Sequence, residues 1–434
     1  MKAEVLTIGD ELLRGEIIDS NKALLSQRLL DLDIETRFQT SVRDDPPDMR
    51  DAFRRAASRC DCVLVSGGLG PTRDDLTAQV LAESFGLELE LDEDALEGIR
   101  AFFRQVGREM TENNESQAYF PSGAEVLPNP IGTAPGFALE AQGALFFAMP
   151  GVPRELQRML DEQVIPRLAA RNQRDGPVVR ARLLRTFGVG ESTLDSQLSD
   201  IATDADLELG FRTSFPDNTL RPLCRAANAE AAEARLATLC AEIRQRLGAI
   251  VYGEGEAGME QVVGDLLAEH GASLAVAESC TGGGIAERIS EVPGASRYFL
   301  GGVVAYADHA KRELLDVPEA LLARHGAVSE PVVRAMAEGV RARFGASLGI
   351  ATTGISGPGG GSDDKPVGLV HIALADDAGT HAEHFVFPLD RARHRRLTTQ
   401  TALDWVRRRL LGAELVGPSL LRRQGGASAP RDTR

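Results

Sequence analysis

The sequence predicts an α/β protein of more than one domain, and three observations carry this prediction. Short β-branched and aliphatic runs alternate with stretches of helical spacing over the first 170 residues. A second alternation begins near residue 259, and 434 residues exceed one ordinary hydrophobic core. We place domains at 1–170, 174–253 and 257–413, followed by a disordered tail at 414–434 where periodicity is lost.

The composition of the sequence excludes several classes of protein. A formal net charge of -16 opposes non-specific attraction to nucleic acid and anionic membranes. No apolar run approaches the roughly 20 residues that span a bilayer, and the first residues already form a predicted strand rather than a secretory signal. Five cysteines, an odd number without metal spacing, do not indicate a disulfide framework. We therefore expect a cytoplasmic protein with no membrane partner.

The N-terminal elements predict a sheet with a ligand site at one edge. A strand at 5–8 leads into Asp10 and Glu11, and Asn21 opens the next helix. Strands at 34–40 and 62–65 follow, with a helix around 49–58 between them. This rhythm predicts a parallel sheet covered on both faces, and ligands of such sheets collect at the carboxyl ends of the strands.

A glycine-rich loop follows the strand at 62–65. Its glycines let backbone amides approach a ligand, and Arg73 can neutralise phosphate. Asp74 and Asp75 offer the hard oxygen ligands that magnesium or manganese prefers. These parts suit a phosphoanhydride, although a turn with a helix cap is the alternative. Further glycine-containing loops at 128–136 and 149–155 favour one composite pocket.

The segment 174–253 predicts a small α+β domain. After a turn-rich linker at 172–177 we expect a strand at 178–187, a helix at 191–200, extended pieces at 207–214 and 219–226, and a helix at 229–247. A loop that clamps a nucleic-acid backbone would need the pattern Gly-x-x-Gly. The sequence 188–190 is Gly-Val-Gly and acidic residues follow it, so we expect a structural spacer and no nucleic-acid partner.

The third segment contains a strand, a tight turn and a helix around Ser279. A run at 274–277 ends in polar residues, three glycines follow, and helical spacing resumes at Ile285. A hydroxyl there lies at the end of a strand and at the positive end of a helix, which favours developing negative charge. Ser279 is therefore a candidate nucleophile. The alternative is that Ser279 and Thr281 only cap the helix.

A lysine at the next strand-to-helix junction could serve as the base. Tyr306 lies at a predicted strand end, and Lys311 lies in the first turn of a helix that we expect Asp308 to cap. The helix dipole and any burial would lower the pKa of Lys311, so that its neutral amine could accept the proton of Ser279. An ordinary surface lysine is the alternative.

The N-terminal motifs resemble the molybdopterin-binding fold in the form found in the CinA (competence- and damage-inducible protein) family. They are 9–12, 66–75, 129–133 and 149–155, in family order. The resemblance implies hydrolysis of ADP-ribose to AMP and ribose 5-phosphate with a divalent metal, Mg, Mn or Co. It implies Asp75, and then Asp74, as metal carboxylates. The substrate-binding residues that it implies are Asp10, Glu11, Asn21, Gly67, Gly68, Thr72, Arg73, Thr133 and Gly151.

The middle segment resembles the KH-like insert of longer CinA proteins, and 259–410 resembles the nicotinamide-nucleotide amidase domain of that family. The amidase motifs are 277–283, Tyr306 with Lys311, 326–331, 354–358 and 365–368. The resemblance implies hydrolysis of nicotinamide mononucleotide to nicotinic acid mononucleotide and ammonia, in pyridine-nucleotide salvage, without a cofactor. It implies Ser279 as nucleophile, Lys311 as base, Tyr306 as an aid to proton transfer or positioning, and a homodimer. The substrate-binding residues that it implies are Thr281, Gly282, Gly283, Ser329, Thr353, Gly354 and Arg391.

The expected architecture is therefore a molybdopterin-binding-like α/β domain, a small α+β KH-like domain and an α/β amidase domain. Two other functions remain open. The chain could be a non-catalytic accessory protein of competence or DNA damage, or it could retain only the N-terminal activity. Release of ammonia from the mononucleotide distinguishes these readings.

Overall fold

The computed structural model describes residues 1–172, 178–202 and 204–419, so most of the predicted linker at 172–177 lies outside the described residues. The chain divides into two compact units, Met1–Val179 and Arg180–Arg434. No helix within the described ranges combines the length and the apolar character needed to cross a membrane.

The first unit is an α/β sheet structure. Its strands are β1 (Lys2–Ile8), β2 (Glu35–Val42), β3 (Cys62–Ser66), β4 (Leu89–Leu91), β5 (Tyr119–Pro121), β6 (Glu125–Leu127), β7 (Gly136–Ala141) and β8 (Ala144–Met149). Its helices are α1 (Asp10–Leu13), α2 (Ser20–Asp31), α3 (Pro46–Arg59), α4 (Thr77–Phe85), α5 (Glu93–Gln105), α6 (Pro153–Met159) and α7 (Ile165–Arg171), with a π-helical turn at Leu160–Val164 and a 3-10 helix at Glu112–Ala118.

The main sheet of this unit has the order β2-β1-β3-β8-β7-β6. Strands β2, β1, β3 and β8 run parallel to one another. Strand β7 pairs antiparallel with both β8 and β6, so the prediction of a parallel sheet is wrong for these two pairings. The reason is local. Gln142 and Gly143, with φ of 50° and 83°, form a two-residue turn that sends the chain back beside β7 as a hairpin. A parallel pair would need a long crossover.

Apolar side chains cover both faces of the main sheet, as the sequence predicts. Alternate residues of β3 enter different cores: Val63 and Val65 pack on one face, and Cys62 and Leu64 on the other. All four side chains are fully buried. The period-two alternation of a strand explains this division.

The second unit contains two sheets. Its strands are β9 (Val178–Ala181), β10 (Leu184–Thr186), β11 (Leu207–Ser214), β12 (Asp217–Ala226), β13 (Val251–Glu254), β14 (Leu274–Glu278), β15 (Phe299–Val304), β16 (Leu348–Gly354), β17 (Leu369–Asp376) and β18 (Gly379–Val386). Its helices are α8 (Glu191–Leu198), α9 (Ala229–Leu247), α10 (Met259–Glu269), α11 (Gly284–Ser290), α12 (Asp308–Leu315), α13 (Glu319–His325), α14 (Glu330–Phe344) and α15 (Arg391–Leu410), with 3-10 turns at Gly248–Ile250 and Ala295–Arg297.

The smaller sheet of this unit has the order β11-β12-β10-β13, with β9 also paired to β12. Helices α8 and α9 supply much of its core. The larger sheet has the order β15-β14-β16-β17-β18, in which the first three strands are parallel and the last two pairs are antiparallel. Phe187 and Tyr252 of the smaller part belong to the same hydrophobic core as Leu274 and Trp405 of the larger part.

Residues 413–419 form an extended strap across the second unit. The sequence assigns 414–434 to a disordered tail, but the described beginning of this segment is held in place, while 420–434 lie outside the described residues. Trp405 donates its indole N–H to the carbonyl of Val416 (3.1 Å), and Ser419 donates its backbone N–H to the carbonyl of Gly188 (2.6 Å). Leu415 is buried. The correction has a simple cause: hydrogen bonds and one buried leucine order the segment without any helical or strand periodicity.

Ending the chain after Gly412 should lower the free energy of unfolding by about 2 kcal/mol, because Leu415 loses its burial and Trp405 loses its acceptor. Thermal denaturation measures the change. A chain that ends after Ser419 keeps every described contact of the strap and should unfold at the wild-type temperature. Equal unfolding temperatures for the two shortened chains would contradict this role of the strap.

Candidate active sites

Ser279 lies in a sharp turn at the carboxyl end of β14. Its backbone N–H donates to the carbonyl of Thr352 (3.0 Å), which ties the turn to the neighbouring strand β16. Gly282 and Gly283 have φ of 63° and 98°, a left-handed conformation that other residues adopt at a cost. The hydroxyls of Thr281 and Thr352 share a buried hydrogen bond of 2.8 Å. We call residues 279–283 the nucleophile loop.

Glu278, rather than Ser279 or Thr281, caps helix α11. Its fully buried carboxylate accepts backbone N–H groups from Gly283 (3.0 Å), Ile285 (3.1 Å) and Ala286 (2.9 Å). Amides at a helix start lack partners within the helix and favour a negative group. The alternative that the two hydroxyls act as caps is therefore wrong, and the Thr281 hydroxyl is engaged with that of Thr352 instead. The sequence analysis missed Glu278, although a carboxylate just before a glycine turn and a helix is a capping signal.

Lys311 is buried, so the alternative of a surface lysine is wrong. Its side chain is 1% exposed, and its Nζ donates to the carbonyl of Tyr306 (3.0 Å) and lies 3.8 Å from a carboxylate oxygen of Asp308. Burial lowers the pKa of Lys311 from its usual value of 10.5. Asp308 is the first residue of α12 and not its cap, a position that Ala307 takes. Asp308 instead partly offsets the effect of burial.

The ends of strands β14 and β15 place Ser279 and Lys311 at one edge of the sheet. Glu278 pairs with Val304 in register, and Ala305 donates its N–H to the carbonyl of Glu278 (2.8 Å). Within the described residues no hydrogen bond joins Ser279 Oγ to Lys311 Nζ. Proton transfer between them therefore needs a side-chain rotation or a bridging water.

The other predicted residues of this site are linked into two groups. Arg391 donates to the Tyr306 hydroxyl (3.1 Å) and to the carbonyl of Gly357 (3.0 Å), which places it beside an exposed tyrosine. Thr353 donates its hydroxyl to the carbonyl of Ala327 (2.9 Å). This bond ties β16 to the loop before α14.

Two serines near these groups, Ser329 and Ser356, have hydroxyl environments that the sequence does not predict. Ser329 precedes α14 as expected, but its hydroxyl donates to the carbonyl of Gly326 rather than accepting a helix amide. Ser356, which lies just beyond Gly354, has a buried hydroxyl without a partner among the described residues. Ser356 lies within the motif 354–358, but the sequence pattern assigns no role to its hydroxyl.

Arg395 is a functional candidate that the sequence analysis missed. Its Nε and Nη2 donate to the carbonyl of Thr281 at 3.1 and 2.6 Å. A side chain added at Gly282 would begin 3.2 Å from Arg395 Nη2. The signal that could have found it is its spacing, because it lies one helical turn after Arg391 on α15.

The first unit brings several predicted residues together beside its glycine loop. Asn21 donates to the hydroxyl of Ser66 (3.0 Å) and to the carbonyl of Gly151 (2.7 Å). Gly67 donates its N–H to the carbonyl of Met149 (3.1 Å) and needs its φ of 109°. The loops at 66–70 and 149–151 therefore meet around the start of α2.

Acidic side chains lie next to this glycine loop. Asp10 is held by Arg43, whose hydrogen bond keeps the pKa of that carboxyl below its usual range. The carboxylate of Asp44 accepts the backbone N–H of Asp10 (2.9 Å). Burial, together with the charges of Glu11 and Asp74, raises the pKa of Asp44. The sequence analysis missed Asp44, although it follows strand β2 at the same edge of the sheet.

Asp75 braces the loop itself. One of its oxygens accepts the N–H (2.8 Å) and the hydroxyl (2.5 Å) of Thr72, and the same hydroxyl also donates to Asp74. Thr133 instead lines a cavity of about 350 Å³ with Asn129 and residues of α5. Arg73 is exposed beside the loop.

The side chains of this unit do not by themselves form a complete metal site. Among the described residues no three His, Cys, Asp or Glu side chains converge closely enough to hold an ion. Magnesium, however, is often held by one or two carboxylates together with substrate phosphates. Asp74 and Asp44 are the candidates for that smaller demand, because the charge of Asp74 is one cause of the raised pKa of Asp44.

Comparison with known proteins defines the class first. Residues 4–170 match the family model of a probable molybdopterin binding domain, residues 181–253 that of the damage-inducible protein CinA KH domain, and residues 256–410 that of the CinA C-terminal domain. The chain is thus a three-part protein with a molybdopterin-binding-type domain, a KH-type domain and a CinA C-terminal domain. The expected mixed α/β architecture is confirmed.

Full-length relatives then give the family. The chain is 44% identical over 415 residues to a CinA-like protein of Geobacter sulfurreducens, covering 95% of this chain and 100% of that one. It is 46% identical over 423 residues to a putative competence-damage inducible protein of Symbiobacterium thermophilum, covering 95% and 99%. A solved CinA protein from Thermoplasma acidophilum is 35% identical and covers 38% of this chain and 97% of its own, with a TM-score of 0.36. The chain belongs to the CinA family.

Replacing Glu278 with Gln should lower the free energy of unfolding by about 3 kcal/mol, because three backbone amides lose a charged acceptor. Chemical denaturation measures this loss. Glu287→Gln, on the exposed face of the same helix, is the matched control and should change stability by less than about 0.5 kcal/mol. A Glu278→Gln protein as stable as the control would show that the carboxylate does not hold the loop.

Proposed function

We propose that the C-terminal domain hydrolyses the carboxamide of nicotinamide mononucleotide, giving nicotinic acid mononucleotide and ammonia. The observation that carries the proposal is the buried Lys311, with its lowered pKa, at the strand end next to that of Ser279. A buried amine without a full ion pair is costly, and such groups concentrate at functional sites. The motif resemblance to the amidase domain of the CinA family supplies the substrate.

The reaction follows from the chemistry of these side chains. Neutral Lys311 takes the proton of the Ser279 hydroxyl, whose oxygen attacks the carboxamide carbon and forms a tetrahedral oxyanion. The C–N bond then breaks, and Lys311 returns the proton to the departing ammonia. Water, deprotonated by the same amine, attacks the acyl-serine; the ester C–O bond breaks, Lys311 returns the proton to the Ser279 oxygen, and the acid is released. No oxidant or reductant is needed.

The oxyanion would find few free backbone donors around Ser279, because Ser279 and Gly282 donate their N–H groups to the carbonyls of Thr352 and Ser279. Glu278 already occupies the N–H groups of Gly283, Ile285 and Ala286, so those donors are not free. Loss of one oxyanion donor typically costs about 10²- to 10³-fold in rate. The exact shape of the loop is therefore part of the proposed catalytic machinery.

For the first unit we propose hydrolysis of the diphosphate of ADP-ribose. The glycine loop at 66–70, the exposed Arg73 and the neighbouring carboxylates Asp44 and Asp74 support this second activity. A divalent metal would supply charge neutralisation on the diphosphate, and Asp74 with Asp44 would hold it. Asp75 keeps the loop in shape through Thr72.

Ser279→Ala should abolish ammonia release from nicotinamide mononucleotide and leave ADP-ribose cleavage at the wild-type rate, because the two sites use different residues. Asp74→Asn should do the reverse, with cleavage of ADP-ribose falling at least about 10-fold. Both products can be quantified on the same purified protein. Ser290→Ala and Asp51→Asn, two exposed positions in the respective units, serve as controls.

An accessory protein without catalytic activity is the competing function, in keeping with the name of the Symbiobacterium relative. Wild-type protein that releases no ammonia and no AMP would favour that function and exclude ours. Unchanged ammonia release by Ser279→Ala would exclude Ser279 as the nucleophile.

The rate of ammonia release should rise with pH, because only neutral Lys311 can accept a proton. Since burial lowers the pKa of Lys311 from 10.5, the plateau should be reached below that pH. Lys311→Arg stays protonated at every accessible pH and should be inactive throughout. A pH profile of kcat/KM that is the same in the wild type and in Lys311→Arg would contradict the assignment.

A further inference from the structure

The hairpin β11–β12 of the KH-type domain reaches the amidase part of the same unit with its tip, residues 214–217. Phe215 packs against the hydrophobic core that contains Trp405, and Arg393 of α15 lies over its ring at 5.8 Å. Asp217 accepts a hydrogen bond of 2.7 Å from the side-chain amide of Gln400 on α15. Gln400 is fully buried and Asp217 is half-buried, so this contact is partly shielded from solvent.

Gln400 also connects the hairpin to helices α11 and α10. Its carbonyl oxygen accepts from Arg288 Nη1 of α11 (2.5 Å), and Arg288 Nε donates to Glu260 of α10 (3.0 Å). Both polar ends of the buried amide are thus satisfied, one by the hairpin and one by the helix that follows the nucleophile loop. Fully satisfied buried networks of this kind fix the relative positions of their elements.

Helix α15 connects the hairpin to the proposed site. One and a half turns before Gln400, the same helix carries Arg395, which donates twice to the carbonyl of Thr281 in the nucleophile loop. At its first residue the helix carries Arg391, which donates to the Tyr306 hydroxyl. A shift of α15 therefore moves contacts on both sides of Ser279.

A cavity separates the hairpin tip from the nucleophile loop, so the two are connected here by polar contacts. A cavity of about 500 Å³ lies there, and Asp217, Arg288, Gln400, Arg395 and Thr281 all line it. Close apolar packing does not fill this gap. Along this cavity wall the hairpin tip and the nucleophile loop are connected by hydrogen bonds, while Phe215 anchors the tip to the hydrophobic core on the other side.

We propose that the β11–β12 hairpin is a positioning element of the amidase site: Asp217 and Gln400 fix α15, and Arg395 on α15 fixes the carbonyl of Thr281 beside the nucleophile. The inference rests on the proposed amidase function and assigns the KH-type domain a role in it. Asp217, Gln400 and Arg395 act through the loop and do not touch the substrate.

Positioning of the nucleophile loop by the hairpin should affect kcat more than KM. The tetrahedral oxyanion exists only during reaction, so a loop that relaxes by a fraction of an ångström loses stabilisation of the transition state. Ser329 and Thr353, which the resemblance gives as substrate-binding residues, lie outside the loop and keep their positions. Variants of the positioning residues should therefore lower kcat and leave KM nearly unchanged.

The test measures kcat and KM for ammonia release from nicotinamide mononucleotide by the full chain. Asp217→Ala and Gln400→Leu should each lower kcat by about 10-fold, with KM changing by less than about 3-fold. Asp217→Asn keeps an acceptor for Gln400 and should retain most of the wild-type kcat. Glu208→Ala, at the far end of the same hairpin, is the matched control and should match the wild type.

A double variant tests whether the residues act along one route. If Asp217 acts through Arg395, Asp217→Ala combined with Arg395→Lys should be no slower than the slower single variant. Losses that multiply would overturn the proposal, and so would wild-type kcat in Asp217→Ala and Gln400→Leu. A Glu208→Ala variant as slow as Asp217→Ala would likewise overturn it, because the effect would then be general to the hairpin.

Amide hydrogen exchange separates this inference from the proposed reaction. Exchange at Gly282 and Gly283 should be at least about 10-fold faster in Asp217→Ala than in the wild type or in Glu208→Ala. If the wild type releases no ammonia, the amidase proposal fails, yet faster exchange would still support positioning of the loop by the hairpin. Unchanged exchange would overturn the positioning role whatever the activity.

Discussion

The buried carboxylate of Glu278 is the constraint on which the C-terminal site depends. It is the last residue of a central strand and accepts three amides at the start of the following helix. One side chain thus ties the end of β14 to the beginning of α11, and the five residues between them must form a compact loop. The conformations of Gly282 and Gly283 are the backbone response to this short span. The position of Ser279 therefore depends on the Glu278 carboxylate as well as on the packing of β14 and Cys280 in the core.

Much of the fold could be predicted from local patterns, and the failures share a cause. Strands followed by glycine turns and helices, such as those around Gly67 and Ser279, were recognised because period, turn chemistry and helix start all agree there. The antiparallel direction of β7 and β17 could not be predicted, since an apolar run does not reveal the direction of its neighbour. The two-residue turn at 142–143 was the available signal.

The same distinction applies to the sites. Ser279, Lys311 and Arg391 could be found because each lies at a junction that the sequence marks. The spacing of Arg395 from Arg391 marks its helix face but not its partner, and nothing marks Gln400, because the partners of both residues are more than 100 residues away in the chain. Burial of Lys311 was equally invisible, since one helical turn carries no information on what packs over it. Long-range polar contacts are where a single sequence says least.

The strap at 413–419 has a consequence for how the protein is made. These residues leave the ribosome after all the elements that they cover, yet Trp405 and the carbonyl of Gly188 depend on them for hydrogen bonds. The second unit can therefore form its sheets before the strap emerges, and its two parts are joined at this seam only afterwards. A fusion partner attached close behind Ser419 would compete with that last step, whereas one attached at the amino terminus would leave it untouched.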